Sequence, residues 1–155
     1  MSDNQRQLLE TFYQAMQRHD GDAMAACYHA DAEFVDEVFE LKGSEPGDMW
    51  RMLCARGKDL RVEYRDVKVD GNRGAAHWEA WYTFSGTGRK VHNIIDAEFE
   101  FKDGKIYRHR DRFDFWSWSK QALGPIGLLL GATPMLRNKV RDKARKGLDA
   151  FRSGT

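Results

Sequence analysis

An α+β fold is what the 155-residue sequence predicts, with helices first and an antiparallel sheet after them. The N-terminal third carries apolar residues at helical spacing. Residues 61–113 then form segments of alternating apolar and polar residues, which tight turn signals separate. A basic amphipathic stretch ends the chain. The length corresponds to one domain that is large enough to bury a core.

Three helices are predicted before the sheet. The first covers about residues 4–19, and the second covers residues 23–28 with Asp22 as its N-cap. Ser44 begins a third helix, which Gly57 ends. The predicted inward residues of this third helix are Met49, Trp50, Met52 and Leu53.

One or two short strands are predicted within residues 33–41, where the apolar period changes to two. Four long strands follow, and the sequences DGN, SGTG and DG form the turns between them. Consecutive strands with such tight turns form an antiparallel meander. The four strands cover residues 61–69, 74–84, 90–101 and 105–113.

The C-terminal part is predicted to be helical. Asp114 caps a short helix over residues 115–123. The apolar segment 126–131 is too short to span a membrane, so we expect it to cover the core. A last helix begins at Thr133-Pro134 and carries mostly Arg and Lys outside an apolar stripe. The stripe consists of Leu136, Val140, Ala144, Leu148 and Phe151.

Charge and cysteine content argue against several functional classes. The sequence has 25 Lys and Arg against 24 Asp and Glu, so its overall charge gives no reason to expect binding to nucleic acid or a membrane. The N-terminus has no signal-peptide pattern, so we expect a cytoplasmic protein. Cys27 and Cys54 lack the spacing of zinc ligands, so we expect reduced thiols and no bound metal.

Two stretches carry a resemblance to a known family. The segments GDAMAACYHADAEF and DGKIYRHRDRFD, in this order of helices and strands, resemble the nuclear-transport-factor-two-like superfamily, in its SnoaL-like and ketosteroid-isomerase-like branch. The resemblance implies a cone-shaped fold, in which N-terminal helices pack on a curved antiparallel β-sheet around a pocket for a small molecule. It covers residues 5–124 and so implies a domain of residues 1–124 with a C-terminal extension, residues 125–155.

Strand alternation predicts which side chains face the interior of the cone. On the strand over residues 105–113, His109 and Asp111 share a face with Tyr107 and Phe113, whereas the arginines lie on the other face. The predicted inward residues of the two preceding strands are Trp78, Ala80, Tyr82, Phe84, Asn93, Ile95, Ala97, Phe99 and Phe101.

Two acidic residues are the main catalytic candidates. Asp36 is similar in placement to the general base of ketosteroid isomerases, and Asp111 to the catalytic acid of limonene epoxide hydrolases and polyketide cyclases. A carboxylate in an apolar cavity has a raised pKa and can serve as acid or base near neutrality, and His109 is the third candidate. The predicted substrate-binding residues are Asn93, Tyr82, Trp78, Ile95, Phe113, Phe34 and Phe12.

Both family patterns are incomplete in this sequence. The oxyanion tyrosine of the isomerases falls at about Phe12, and the Arg-x-Asp pair of the epoxide hydrolases falls at about Trp78 and Ala80. Each acid also has a non-catalytic interpretation that stays open. In one, Asp111 simply pairs with a nearby arginine; in the other, Asp36 lies in solvent at the rim of the cone.

The predicted function is that of a cofactor-independent acid/base enzyme, of isomerase, cyclase, dehydratase or hydrolase type, on a small and mostly apolar molecule. The alternative is a non-catalytic module that binds a hydrophobic ligand. We expect a homodimer through the outer face of the sheet, where Trp81 lies among polar residues.

The basic C-terminal helix has three interpretations. It closes the pocket or a dimer, with its basic face simply solvated, or it makes peripheral contact with an anionic membrane, helped by the neighbouring leucines at 128–130. Nucleic acid binding is the third and is not expected, because no aromatic residues interleave with the basic ones.

Overall fold

A computed structural model describes residues 2–154 of the protein. Helices pack on a curved, unclosed, mixed sheet of six strands in the order β2-β1-β6-β5-β4-β3. In chain order the elements are α1 (Ser2–Gln17), α2 (Gly21–Ala25), β1 (Tyr28–Val35), β2 (Glu40–Lys42), α3 (Glu45–Arg56), β3 (Arg61–Asp70), β4 (Arg73–Phe84), β5 (Arg89–Lys102), β6 (Lys105–Arg112), α4 (Phe115–Leu123), α5 (Pro125–Leu130) and α6 (Pro134–Ser153). The predicted α+β class is confirmed.

The main core lies between the N-terminal helices and the concave face of the sheet. Leu9, Phe12, Tyr13 and Met16 of α1 recur at helical spacing and are buried against the strands. On α3, Met49, Trp50 and Met52 are buried as predicted, but Leu53 is exposed and Cys54 takes the inward position instead. This exchange follows from the helical period, since positions 50 and 54 share a face.

The second helix and its cap differ from the prediction. α2 runs from Gly21 to Ala25 rather than over residues 23–28, and the chain is already extended at Tyr28. The N-cap is Asp20 and not Asp22, because the Asp20 carboxylate accepts a hydrogen bond from Ala23 N at 3.0 Å. Asp20 and Asp22 flank Gly21, and aspartate is a favoured N-cap at either position, so the sequence pattern does not distinguish them.

The first strand pairs in parallel with the last one. β1 forms antiparallel pairs with β2 and parallel pairs with β6, in which Phe34 is opposite His109. The short strands predicted within residues 33–41 are therefore β1 and β2, and residues 36–39 form the turn between them. β6 lies between β1 and β5, so the strand that carries the candidate acid is internal to the sheet.

The predicted antiparallel meander is confirmed for the four long strands, β3 to β6. One irregularity changes a side-chain direction. The β5–β6 register shifts so that Phe101 is opposite Ile106 and Glu100 is opposite Arg108. Tyr107 is the extra residue of this bulge. It lies half-buried against His29 instead of facing the core, and Ile106 is buried in its place.

Two tightly packed helices follow the sheet. Asp114 caps α4 as predicted, by accepting from Ser117 N at 3.1 Å, and Gly124 ends α4 with a positive φ of 68°. α5 crosses α4 at Gly127, where a Cβ would lie 1.9 Å from the Ser119 carbonyl oxygen, so only glycine fits. The expectation that residues 126–131 cover the core is wrong, because their large side chains are exposed.

The apolar stripe of α6 is turned toward the body of the protein. Leu136 and Leu148 are buried, and Val140, Ala144 and Phe151 pack against the core clusters. None of the helices described within residues 2–154 is long and apolar enough to cross a membrane.

Part of the basic face of α6 is paired rather than simply solvated. Arg145 bonds to Glu45, and Arg152 bonds to Glu45 and to Asp48 at 3.0 Å. These acids stand in the first turn of α3, where the helix dipole also favours negative charge. The arginines therefore attach α6 to α3.

The corrected cap gives a direct test. Asp20→Ala removes the side-chain acceptor of Ala23 N, so we expect the free energy of unfolding to fall by about 1 kcal/mol. Asp22→Ala, the matched control, removes only an exposed ion pair with Arg51, and we expect a change of less than about 0.5 kcal/mol. Urea denaturation measures both. Equal losses in the two variants would contradict the cap assignment.

Candidate functional site

Two ionisable side chains of β6 lie in the aromatic interior. His109 and Asp111 have 2% and 3% of their surfaces exposed, and both are on the inward face that alternation predicts. The His109 ring is enclosed by aromatic rings on several elements, namely Phe12, Tyr28, Phe34, Trp50 and Phe99.

A continuous chain of hydrogen bonds runs through this interior. Trp50 Nε1 donates to the Tyr28 hydroxyl at 2.8 Å, which lies 2.8 Å from His109 Nδ1. His109 Nε2 lies 2.8 Å from Asp111 Oδ1, and Trp78 Nε1 donates to the same oxygen at 3.4 Å. We call these five side chains the buried relay.

Donors and acceptors match along the buried relay. Because Tyr28 accepts from Trp50, its own O–H is free to donate to Nδ1 of a neutral His109. His109 Nε2–H then donates to Asp111, which as a carboxylate only accepts. In this assignment the second oxygen of Asp111, Oδ2, makes no hydrogen bond within residues 2–154 and stays available to a ligand.

The arginines of β6 do not neutralise Asp111. Arg108 pairs with Glu33 and Glu100 on the outer face of the sheet, and Arg112 pairs with Glu98 there. The partner of Asp111 is His109 instead. The interpretation in which Asp111 simply pairs with an arginine is therefore wrong.

Tyr13 is a candidate that the sequence reasoning missed. Its hydroxyl is buried and has no hydrogen-bond partner among the residues that the structure describes. Burial raises the pKa of Tyr13 well above its ordinary value, and the nearby Asp111 carboxylate and Tyr28 raise it further. The hydroxyl is therefore a protonated, unused donor near Asp111. The resemblance places the oxyanion tyrosine of the isomerases at about Phe12, one residue before Tyr13. The apolar pattern of α1 does not show which of these two residues takes the role.

Asp36 lies in the turn between β1 and β2. Its Oδ1 accepts from Val38 N at 2.7 Å and from Phe39 N at 2.6 Å, whereas Oδ2 makes no hydrogen bond in the described chain. Burial raises the pKa of Asp36 to about 7, the two backbone donors oppose this, and the Asp111 carboxylate and Glu37 add to it. Asp36 is half-buried. Part of its surface remains exposed, so the interpretation that places it at the rim of the cone stays a prediction.

Tyr82 and Asn93 supply polar groups on the same concave face. The Tyr82 hydroxyl accepts from Trp118 Nε1 at 2.8 Å, and burial raises its pKa to about 12, with a further contribution from Asp36. Asn93 is buried opposite Ala80, and its carboxamide has no hydrogen bond within the described chain. Phe113, like Tyr82, is partly buried and packs against both core clusters.

The remaining predicted binding residues are deep in the core. Phe12, Phe34, Trp78 and Ile95 are buried and belong to the same core cluster. The structure thus brings these four residues together between the N-terminal helices and the concave face of the sheet, and side chains fill the space between them.

Two open clefts lie beside this interior. One, of about 400 Å³, is lined by Arg61, Trp81, Tyr82 and Gln121 among others, and so it reaches Tyr82 from outside. The other, of about 220 Å³, lies between residues 38–40 and α6. Neither cleft includes Asp36 or Asp111 in its lining.

The outer face of the sheet holds Trp81 between two side chains. The Arg61 guanidinium lies 3.9 Å from the centroid of the Trp81 ring, and His92 stacks on that ring at 4.4 Å. This packing accounts for a tryptophan among polar residues. The homodimer through this face stays a prediction.

Cys27 and Cys54 are buried and free, and burial raises the pKa of each thiol to about 11, so both thiols stay protonated near neutrality. Within residues 2–154, no group of three or more His, Cys, Asp or Glu side chains has the geometry of a metal site.

Comparison with protein families matches residues 9–109 to the SnoaL-like domain. The chain belongs to the SnoaL-like family. The matched segment contains Asp36 and His109 and ends two residues before Asp111. No curated protein matches this SnoaL-like chain in sequence.

Solved structures share the fold of this SnoaL-like protein. An LEH-like epoxide hydrolase of M. tuberculosis is 21% identical, with a TM-score of 0.64 over 84% of this chain and 98% of its own. A hypothetical protein of Catenulispora acidiphila with a ketosteroid isomerase-like fold, in complex with trimethylamine, is 14% identical, with a TM-score of 0.66 over 76% and 93%.

A designed protein matches as well. This de novo protein with a curved β-sheet is 23% identical, with a TM-score of 0.61 over 92% of the SnoaL-like chain and 98% of its own. A designed protein with a curved sheet matches about as well as an epoxide hydrolase does. These likenesses therefore establish the fold and not a reaction.

The raised pKa of Asp36 makes the stability of this SnoaL-like protein depend on pH. Between about pH 4 and pH 7 the unfolded chain loses the Asp36 proton while the folded protein keeps it. The free energy of unfolding of wild type should therefore fall by up to about 4 kcal/mol, relative to that of Asp36→Asn, as the pH rises through this range. Urea denaturation of both proteins from pH 4 to pH 8 measures the difference. A difference that does not change with pH would refute the raised pKa.

The buried relay can be tested at Tyr28. Tyr28→Phe leaves the Trp50 N–H and His109 Nδ1 without a partner, so we expect a loss of about 1–3 kcal/mol in the free energy of unfolding. Tyr107→Phe is the matched control, because the Tyr107 hydroxyl makes no hydrogen bond in the described chain, and we expect less than about 0.5 kcal/mol. Thermal denaturation measures both, and a Tyr28 variant as stable as the control would argue against the relay.

Proposed function

We propose that the protein is a cofactor-independent acid/base enzyme that transfers a proton on a small, mostly apolar molecule. One observation carries the proposal. Four polar groups in and around the interior, on α1, the sheet and the β1–β2 turn, lack partners in the described chain: the Tyr13 hydroxyl, the Asn93 carboxamide, and the Oδ2 atoms of Asp36 and Asp111. Native interiors leave few polar groups unpaired, so a convergent set of them indicates a place for a polar part of a ligand.

Asp36 is the proposed base. Its pKa of about 7 lets it both take and return a proton at neutral pH, which an ordinary aspartate does poorly. The two backbone donors hold Oδ1 and leave Oδ2 to reach the substrate. A base of this kind suits removal of a proton from a carbon next to a carbonyl group.

Tyr13 is the proposed partner of the substrate oxygen, whereas the Asp111 carboxylate, which only accepts hydrogen bonds, is the proposed acceptor for an O–H or N–H group of the substrate. A buried O–H donor stabilises negative charge on a carbonyl oxygen when a neighbouring carbon loses its proton. Tyr13 offers such a donor, and His109 positions Asp111 through the Nε2 contact of 2.8 Å. The two carboxyl groups have different surroundings, which supports different roles for them. Isomerisation of an enolisable ketone therefore fits this arrangement best.

The filled interior must open for such a substrate to reach Asp36 and Asp111. Tyr82 lines the cleft of about 400 Å³, and its hydroxyl interacts with the Asp36 charge. A movement of Tyr82 and of its partner Trp118 would connect this cleft with the interior. Access from that side is part of the proposal.

A non-catalytic binding module is the second candidate. The observation that favours it is the filling of the interior, since Trp50, Trp78 and Phe12 occupy the space around His109 and Asp111. Neither cleft reaches Asp36 or Asp111. In that case the same concave face would hold a hydrophobic ligand without turnover.

Proton exchange separates the two candidates. We would incubate wild type with a panel of enolisable ketones in D₂O, with epoxides as a second panel, and follow deuterium uptake or hydrolysis by NMR. Asp36→Asn and Asp111→Asn should each lower the rate about 10²- to 10⁴-fold. Asp114→Asn is the matched control, because asparagine also caps a helix, and it should retain the rate.

The pH profile tests the role of Asp36. Because a base acts in its deprotonated form, kcat/KM should rise with pH and level off above about 7. An inflection near pH 4, or full activity in Asp36→Asn, would exclude Asp36 as the base. Ligand binding without exchange in any panel would favour the binding module.

A further inference from the structure

An exposed apolar surface lies where α4, α5 and α6 meet. Eight large apolar side chains are exposed among residues 2–154, and six of them fall within residues 116–135. We call these six the apolar corner: Trp116, Ile126, Leu128, Leu129, Leu130 and Met135. The other two, Leu53 and Ile94, lie singly elsewhere on the sequence, as scattered apolar residues do on many surfaces.

Close packing of α5 on α4 holds the apolar corner outward. A Cβ on Gly127 or Gly131 would collide with Ser119 or Trp116, so the glycine side of α5 faces α4. Trp116 Nε1 also donates to the Leu128 carbonyl oxygen at 3.2 Å, which ties the two helices together. The leucines consequently point to solvent, and Leu129 is 79% exposed.

Positive charge surrounds the apolar corner. Residues 115–141 contain four basic residues and no acidic one. Lys120 Nζ lies 4.1 Å from the centroid of the Trp116 ring, and the Arg137 guanidinium lies 5.0 Å from that of Phe115. Neither of these cations, nor exposed Lys139, pairs with a carboxylate in the part of the chain that the structure describes.

We propose that the apolar corner docks the protein on the surface of a membrane that contains anionic lipids. The exposed leucines would enter the boundary between headgroups and acyl chains, Trp116 would lie at the headgroup level, and the cations would contact lipid phosphates. The surface keeps the leucines at 128–130, which the membrane interpretation of the sequence places beside the C-terminal helix. It replaces α6 itself, because the apolar stripe of α6 is buried against the body and has nothing to insert.

Charge favours an anionic membrane over a second copy of the chain. A twofold contact through the apolar corner would place two identical basic rims against each other, and like charges oppose such a contact. An anionic lipid surface complements both the apolar centre and the basic rim.

Vesicle binding tests the proposal with the full chain. We would measure co-sedimentation with vesicles of phosphatidylcholine alone and of phosphatidylcholine with phosphatidylglycerol. Wild type should bind the anionic vesicles at least about tenfold more tightly, and Leu129→Glu should weaken this binding at least about tenfold. Ile94→Glu, the matched control, replaces an exposed apolar residue outside the corner and should bind as wild type does.

The basic rim has its own control pair. Lys139→Glu should weaken binding to the anionic vesicles, whereas Lys68→Glu, on the exposed side of β3, should not. All four positions are exposed, so the variants should unfold at the wild-type temperature. Absence of binding to anionic vesicles, or equal effects of Leu129→Glu and Ile94→Glu, would overturn the proposal. A dimer in sedimentation that Leu129→Glu converts to monomer, without vesicle binding, would overturn it in favour of a second copy.

Discussion

The hydrogen bonds that satisfy His109 and Asp111 tie the separate elements of this fold to one another. Trp50 belongs to α3, Tyr28 to β1 and Trp78 to β4, and each brings a polar atom to a partner in the buried relay. A buried polar group that loses its partner costs about 1–3 kcal/mol, and in a chain of bonds one displaced member leaves its neighbours unpaired. The helix, the two strands and β6 must therefore meet in one arrangement.

Local patterns in the sequence predicted much of the fold. Alternation along β6 placed His109 and Asp111 on the inward face, because a strand has a fixed period of two. The same rule failed at Tyr107, where one extra residue reverses the direction and no local signal marks it. The exposed leucines of α5 were assigned to the core because apolar composition does not tell which neighbours remain to cover a segment.

The sequence predicts a raised pKa for a carboxylate in an apolar cavity, but it does not identify the groups that determine the pKa of Asp36. The pKa of Asp36 depends on burial by distant elements and on Asp111, which lies 75 positions further along the chain. The partner of His109 is Tyr28, which was expected to end a helix rather than begin a strand. Both facts follow from the parallel pairing of β1 with β6, a contact for which the sequence has no local marker.

That parallel pairing also bears on how the molecule folds. Residues 36–104 separate β1 from β6 in the sequence, yet β6 is inserted between β1 and β5, so the sheet remains in two parts until β6 takes its place. Contacts between residues far apart in sequence form slowly, because a long loop must close first. During synthesis, Phe34 and the apolar face of α1 stay uncovered until β6 has been translated, some seventy residues after β1. Nascent chains of this protein therefore expose aromatic surface until nearly the whole domain has been made, a period in which chaperones have a binding site that the folded protein lacks.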